Sequence, residues 1–213
     1  MIDMDKLVTM IIHQRSQLSS NRSALAAITG IDGCGKGYLT AQIANALQAK
    51  GLRVGVIGID GWLNLPQKRF SDRNPAEHFY RHALRFDEMF AQLVMPLRDQ
   101  RSLYLEANLV EETATTYHPH RYEFKDIDVI LLEGIYLLKR EFHHYYDLSI
   151  WVNCTFETAL ERAIARGQEA LTPQETIKAY HTIYFPAQQI HFERDYPQDA
   201  ATLIITNDPR LNE

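Results

Sequence analysis

The chain has 213 residues, 46% of them hydrophobic and 23% charged, and a formal net charge of −5. This length and balance suit one domain with a substantial core, and the acidic charge speaks against a general nucleic-acid binder, which needs a basic face. No apolar stretch approaches the ~20 residues that span a bilayer. The opening MIDMDKLVTMIIHQRSQ carries acids and no long apolar run, so it is not read as a signal peptide. Two cysteines, Cys34 and Cys154, suit a reducing cytosol rather than a disulfide framework. The expected setting is cytoplasmic, with no membrane or nucleic-acid partner; the oligomeric state, self-association included, stays open.

In chain order, residues 4–18 place Leu7, Met10, Ile11, Gln14 and Leu18 at helical spacing, which predicts an amphipathic helix packed as an appendage. ALAAITG (24–30) reads as a buried parallel strand ending in glycine. Residues 36–50 set Leu39, Ile43, Ala46 and Leu47 on one helical face, and Gly51 stops that helix. RVGVIGID (53–60) is the next strand. Residues 75–98 read as an aromatic-rich helix broken near Pro96, and 101–110 as a strand. EETATTYHPHRYEF (111–124) is irregular, with room for a hairpin. DVILLEG (128–134) and LSIWVNC (148–154) are apolar strands. A helix over 155–167 has Thr155 as N-cap and Gly167 as stop. Residues 173–194 are mostly helical around Pro186, and ATLIITN (201–207) is a last strand. Strands alternating with helices predict a parallel sheet covered on both faces, in a single domain.

In such a sheet, ligands sit beyond the carboxyl ends of the strands. Three candidate sites fall there. GIDGCGKG (30–37) can cradle a phosphate, because glycines let main-chain N–H groups turn inward and the following helix offers its positive end. Lys36 adds a cation that reaches terminal phosphates. The loop segment taken as nucleotide-binding is Gly30, Ile31, Asp32, Gly33, Cys34, Gly35, Lys36, Gly37 and Tyr38. Glu133, ending DVILL, is a candidate for magnesium or substrate, the bland alternative being a surface carboxylate. Asp60 sits where a general base would lie, although Asp-Gly is also an ordinary turn. Arg162 and Arg166, four apart on a helix, can together neutralise a moving phosphoryl group or simply form a solvated face.

Together GIDGCGKG, GIDGW, YEFKDIDVILLEGIYLLKR, the helix with Arg162 and Arg166, and the tail YFPAQQIHFERDYPQDAATLIITNDP resemble the uridine kinase / phosphoribulokinase family of P-loop kinases, most of all its uridine kinase-like members. The resemblance runs from about Ala24 to Pro209. It implies a P-loop NTPase-type three-layer α/β/α fold with a mostly parallel sheet. The single kinase domain would span 1–213, with an N-terminal helix in 1–20 and a small helical lid at about 155–172. It implies ATP and Mg2+ as cofactors, and transfer of the γ-phosphate to a hydroxyl of a small-molecule acceptor, foremost the 5′-OH of a nucleoside such as uridine or cytidine. On this reading Lys36, Asp60, Arg162 and Arg166 are catalytic, with Asp60 the base; Asp60 and Glu133 hold the metal. Asp60, Trp62, Glu111, Tyr117, His118, Arg121, Tyr122 and Glu133 are candidates for the acceptor pocket. His191 and Tyr184 fall near the substrate in relatives but are read as helical packing residues.

The chain departs from the family at Gly37, where members carry Ser or Thr whose hydroxyl binds magnesium. Thr40, a turn further on, is a poor substitute, so weaker metal binding is expected. Two rivals stay open: a kinase for pantothenate, a sugar or a phosphosugar, and a nucleotide-binding pseudokinase with a regulatory role. A phosphosugar would need an extra basic cluster, which the sequence does not place.

Overall fold

The structure, a computed structural model, describes residues 3–167 and 170–211. Residues 1–2 of the expected N-terminal helix and 168–169 of the expected lid lie outside the described residues. Asp3 caps the first helix, α1 (Met4–Gln17), by accepting the Lys6 N–H, and Leu7, Val8 and Ile11 form its buried stripe. Strand β1 (Ala24–Gly30) is buried along its whole length. The loop after it feeds α2 (Lys36–Ala49), which buries Leu39, Ile43 and Leu47. Strand β2 (Val54–Gly58) follows, then a 3-10 turn at Ile59–Gly61 and the short α3 (Pro66–Arg69).

The expected helix over 75–98 is not continuous. Helix α4 (Pro75–His82) ends before an extended stretch at Leu84, which bridges to Leu63. The chain then runs through α5 (Phe86–Met89), a π-type turn at Phe90–Val94 and α6 (Met95–Gln100). Pro96 does not break this run. A proline lacks the N–H and crowds the carbonyl of the preceding turn, and the wider π turn just before it removes that conflict. The same device recurs later, where α8 (Pro173–Ala179) passes through a π turn at Tyr180–Tyr184 into the helix Phe185–Asp195, which carries Pro186.

Strand β3 (Leu103–Leu109) does not join the parallel sheet. It pairs antiparallel with β4 (His118–Phe124), so residues 111–124, expected to be irregular with room for a hairpin, do contain one of its strands. The remaining strands are β5 (Val129–Gly134), β6 (Leu148–Asn153) and β7 (Leu203–Thr206), with α7 (Phe156–Arg166) after β6. We number the helix Phe185–Asp195 α9; the short α10 (Pro197–Ala200) precedes β7.

The main sheet is five-stranded and parallel, in the order β2-β5-β1-β6-β7. Successive residues of a strand face opposite sides, so the sheet feeds two cores. Leu25, Ala27, Ile57, Ile130 and Leu132 pack against Trp62, Leu93, Val94 and Ala187 on one face. Ala26, Ile28, Leu131, Ile150 and Val152 pack against α1, α2 and α7 on the other. Burial on both faces explains why β1 and β5 read as unbroken apolar runs. No helix among the described residues is long and apolar enough to cross a membrane.

The NDP segment after β7 fixes the position of α7. The carboxylate of Asp208, 1% exposed, accepts hydrogen bonds from the Thr155 N–H at 2.7 Å, the Thr155 hydroxyl at 2.6 Å and the Thr158 hydroxyl at 2.8 Å. The Arg210 N–H adds a fourth at 2.9 Å. Burial works against ionisation, but these donors outweigh it and hold Asp208 well below the usual carboxylate range. A depressed folded-state pKa means that the stabilisation is complete above the unfolded value and is lost as pH falls below it. Asp208→Ala should therefore cost about 3 kcal/mol at pH 7, read as a lower thermal midpoint. The gap to the natural protein should narrow below roughly pH 4.

Candidate active site

The loop between β1 and α2 turns on three positions, Gly30, Gly33 and Gly35, that cannot carry a side chain. A Cβ on Gly30 would lie 2.6 Å from the Val152 carbonyl oxygen and 2.7 Å from Cys34 Sγ. Gly33 has φ +77° and would place a Cβ 2.5 Å from the Ala159 carbonyl oxygen; Gly35 has φ +90° and would meet Asn207 Nδ2 at 2.4 Å. The loop thus turns through the left-handed region twice while pressed between β6, α7 and the end of β7. Ile31 and Cys34 are buried in the core, so their contribution to the loop is main chain; burial pushes the Cys34 thiol up, keeping it neutral. Tyr38 is 72% exposed on the first turn of α2. Gly35, the N-cap, supplies no side-chain cap, which leaves the first N–H groups of α2 for a ligand.

The outer side of the loop is clamped. The Cys34 carbonyl accepts from Arg162 Nη1 at 3.1 Å and from Asn207 Nδ2 at 2.8 Å. Arg162 thus braces the loop in this conformation. Arg166, one turn on, reaches Asp32 Oδ2 at 3.4 Å, and the Tyr180 hydroxyl donates to the same carboxylate. Asp32 Oδ1 lies 3.9 Å from Lys36 Nζ, and Glu133 Oε1 lies 3.9 Å from it on another side. Burial opposes a charged Lys36, but the acids around it, Asp32, Glu133 and Asp60, outweigh that and raise its pKa. Burial likewise opposes ionisation of Asp32, yet Lys36, Arg166 and the Tyr180 hydrogen bond win and lower it. Glu133 goes the other way: burial raises its pKa more than Lys36 lowers it, and Asp60 and Asp32 add to the rise.

Sheet register explains how Glu133 reaches Lys36. Its partners are Ile28 of β1 and Gly58 of β2, so it stands between the two loops at the carboxyl ends. Gly134 is needed beside it, because a Cβ there would fall 2.1 Å from Ile59 Cγ1 of the turn that carries Asp60. Asp60 is exposed and, with Asp32 and Arg166, lines a cavity next to the loop. Its other walls include Leu63, Arg69, Phe70, Phe79, Glu112, Tyr136, Tyr184 and Gln188. Asp60 and Glu133 together with waters and phosphate oxygens are the donors available to a magnesium ion. Among the described residues no three His, Cys, Asp or Glu side chains gather to bind a metal by themselves.

The remaining acceptor candidates are not in that cavity. Trp62 is entirely buried, and its indole N–H donates to the Tyr122 hydroxyl at 3.2 Å. Arg85 stacks on Trp62 and on Tyr117, at 5.0 Å and 4.7 Å from the ring centroids. Through the Trp62–Tyr122 hydrogen bond and Arg85, Trp62, Tyr117 and Tyr122 link the β3–β4 hairpin to the turn after β2, and none of the three lines the cavity. Arg121 pairs with Glu106 at 2.9 Å on the exposed face of the hairpin. Glu111 and His118 are exposed at its ends, and the cavity wall takes Glu112 instead of Glu111. Tyr184, read as packing, does line the cavity, because the π turn before Pro186 brings it there. His191 is a packing residue as expected, fully buried with Nδ1 2.6 Å from Asp195. Arg69, Tyr136 and Gln188 carried no sequence signal of a site; each belongs to a different element, and only the fold unites them.

The scan of protein families finds the model described as "Phosphoribulokinase / Uridine kinase family" over residues 25–170. No curated protein sequence matches the chain. Among solved structures, a possible uridine kinase from Bacillus stearothermophilus is similar at TM-score 0.75 and 19% identity, over 95% of this chain and 96% of that one. A D-glycerate 3-kinase from Cryptococcus neoformans is similar at TM-score 0.67 and 11% identity, over 97% and 96%. The phosphoribulokinase of Rhodobacter spheroides is similar at TM-score 0.61 and 13% identity, over 90% and 72%. At these identities the structures establish a common fold, an α/β kinase fold with a mostly parallel sheet. The family match covers well over half of the sequence and includes the glycine loop, Asp60, Glu133 and both α7 arginines: the chain belongs to the phosphoribulokinase / uridine kinase family of P-loop kinases.

Proposed function

We propose that the protein transfers the γ-phosphate of ATP to a hydroxyl of a small acceptor held in the cavity beside Asp60. One observation carries this reading: Asp60, Asp32 and Arg166 line the same cavity, and Asp32 is in turn paired with Lys36 of the phosphate loop. A base, a cation and a phosphate cradle meet where an acceptor can lie. The acceptor oxygen bonds to the γ-phosphorus, the bond to the bridging oxygen breaks, and ADP leaves. The acceptor's hydroxyl proton passes to Asp60. Lys36 and Arg166 offset the charge that spreads over the transferring group, and Arg162 holds the loop that cradles it. Asp60→Asn should lower kcat by about 10²–10⁴-fold while leaving the affinity for ATP nearly unchanged, measured by coupled ADP release and by nucleotide titration. Transfer at close to the original rate would remove Asp60 from this role.

A nucleoside 5′-OH is what the resemblance to uridine kinase-like members suggests. The geometry favours a more compact acceptor, because the aromatic residues expected to receive a base are engaged with one another. A pseudokinase would not need Asp60, Glu133 and the arginines arranged in this way.

Magnesium, when bound, would be held by Asp60 and Glu133 and would supply positive charge against the phosphates. The position of Gly37 bears on how it is held. Thr40 is 2% exposed and its hydroxyl donates to the Lys36 carbonyl at 2.8 Å, so it is not available as a ligand. Glu133 Oε2 stands 3.9 Å from where a Cβ of residue 37 would lie, an ordinary contact. Gly37→Ser therefore fits without strain and restores a hydroxyl beside Glu133. It should lower the magnesium concentration that half-saturates both nucleotide binding and transfer several-fold, read in parallel titrations. An unchanged or weakened magnesium requirement would mean that residue 37 does not face the metal.

A further inference from the structure

Three polar atoms around the cavity are buried without a hydrogen-bond partner: Nε of Arg69, the hydroxyl of Tyr136 and Oε1 of Gln188. Their residues are 3%, 1% and 2% exposed. Native proteins leave few buried polar groups unpaired; Arg15 Nε, Thr29 Oγ1, Trp151 Nε1 and His191 Nε2 are others among the described residues, but these three belong to residues that line one cavity, where a ligand can complete the bonding. They arrive from α3, from the loop after β5 and from α9, brought together by the fold alone.

Arg69 decides the chemistry. Its guanidinium carries five donors. One nitrogen, Nη2, donates to the Glu112 carbonyl, and the group lies 5.1 Å from the Phe70 ring centroid. The wall it joins is apolar in part, from Leu63, Phe70, Phe79 and Ile135, and charged in part, from Asp32, Asp60, Glu112 and Arg166. A guanidinium does not shed its proton, so burial there leaves a cation poorly compensated. Burial indeed pulls its pKa down, against the opposing influence of Tyr184 and Glu112. Of the acids lining the cavity, Asp32 is engaged by Lys36, Arg166 and Tyr180, Asp60 is exposed, and Glu112 is the one that acts on Arg69. A planar, charged fork in the wall of a partly apolar cavity is an arrangement suited to a carboxylate or phosphate.

We infer that the cavity is the acceptor subsite and that Arg69 recognises an anionic oxygen group, carboxylate or phosphate, on a compact hydroxylated acceptor whose hydroxyls meet Tyr136 and Gln188. This rests on the kinase reading above and narrows it. The basic element that a phosphosugar would require is present; it is one arginine that sequence inspection passes over because it lies in an unremarkable PQKR segment. The acceptor's remaining hydroxyl is left for Asp60, which lines the same cavity, and the Phe70–Phe79 stack, with centroids 5.6 Å apart, limits its size.

The test pairs acceptors of one skeleton with and without the charge: glycerate with glycerol, and ribose 5-phosphate with ribose, plus uridine. Transfer from MgATP is measured for each, and binding of each is measured by calorimetry with a non-hydrolysable ATP analogue present. The expected result is that at least one anionic member exceeds its neutral partner by tenfold or more in kcat/KM. Arg69→Met should then raise its KM at least tenfold, with Arg69→Lys intermediate and MgATP affinity retained in both. If Arg69→Met does not fold, the preference of the natural protein and Gln188→Glu, which sets a repelling charge in the same wall and should raise KM for the anionic acceptor, carry the decision. Glycerate favoured without ribose 5-phosphate assigns the carboxylate, and the reverse assigns the phosphate. Efficient transfer to ribose, glycerol or uridine with no preference for the charged partners overturns this inference and leaves the kinase reading standing. Binding of an anionic acceptor with no transfer to any acceptor supports the subsite and removes the kinase reading. Absence of both binding and transfer across the set contradicts both.

Discussion

A stretch of main chain that must bend without side chains is the constraint on which the site depends. At Gly30, Gly33 and Gly35 any Cβ would enter the space of β6, α7 or Asn207. The loop can be pressed this close only because those neighbours are themselves fixed. Asp208 holds the start of α7 through Thr155 and Thr158, and Asn207 next to it holds the Cys34 carbonyl. The last strand of the sheet thus sets the shape of the first loop. This is a physical reason for the NDP segment to stand where it does, and it makes loop geometry a property of the whole sheet.

Charge is arranged on this frame so that little of it is wasted on solvent. Lys36 is 7% exposed and sits between Asp32 and Glu133. A buried cation needs compensation, and the two acids supply it. Their responses differ: Asp32 is held ionised by Lys36, Arg166 and Tyr180, whereas Glu133, with fewer cations near it, is pushed upward by burial. An incoming polyphosphate competes for the same cations, so ligand binding must rearrange the ion pairs around Asp32. Arg166 stands on α7 and Tyr180 on the π turn that follows α8, which links the state of the loop to the helices on either side of residues 168–169.

Much of this was legible in the sequence. Apolar runs fully buried on both faces gave β1 and β5 their plain signature, and the glycine spacing of 30–37 announced the loop that the structure builds. Asp60 and Glu133 were legible because strand ends in a parallel sheet are where ligands sit. What could not be read is anything that depends on distant segments meeting. Residues 101–110 look like a sheet strand, yet they pair outside the main sheet, since nothing local distinguishes a hairpin strand from a parallel one. Trp62 and Tyr122 look like ligand contacts by position, yet they satisfy each other, and Arg85 covers them. Pro96 looks like a break, and there, as at Pro186, a π turn absorbs the conflict. Arg69, Tyr136 and Gln188 are individually ordinary, and their unpaired atoms become visible only around a common cavity.

On the proposed reading the site has two halves of different origin: a nucleotide half dictated by local glycine chemistry, and an acceptor half assembled by tertiary packing. That division fits a fold shared by neighbours named for different acceptors. The most direct test of the account is a crystal structure with a non-hydrolysable ATP analogue. It should place the β- and γ-phosphates against the main-chain N–H groups of residues 33–37, with Lys36 on the terminal phosphates and the γ-phosphate facing the cavity lined by Asp60. A triphosphate bound elsewhere, with the 30–37 loop unengaged, would contradict it.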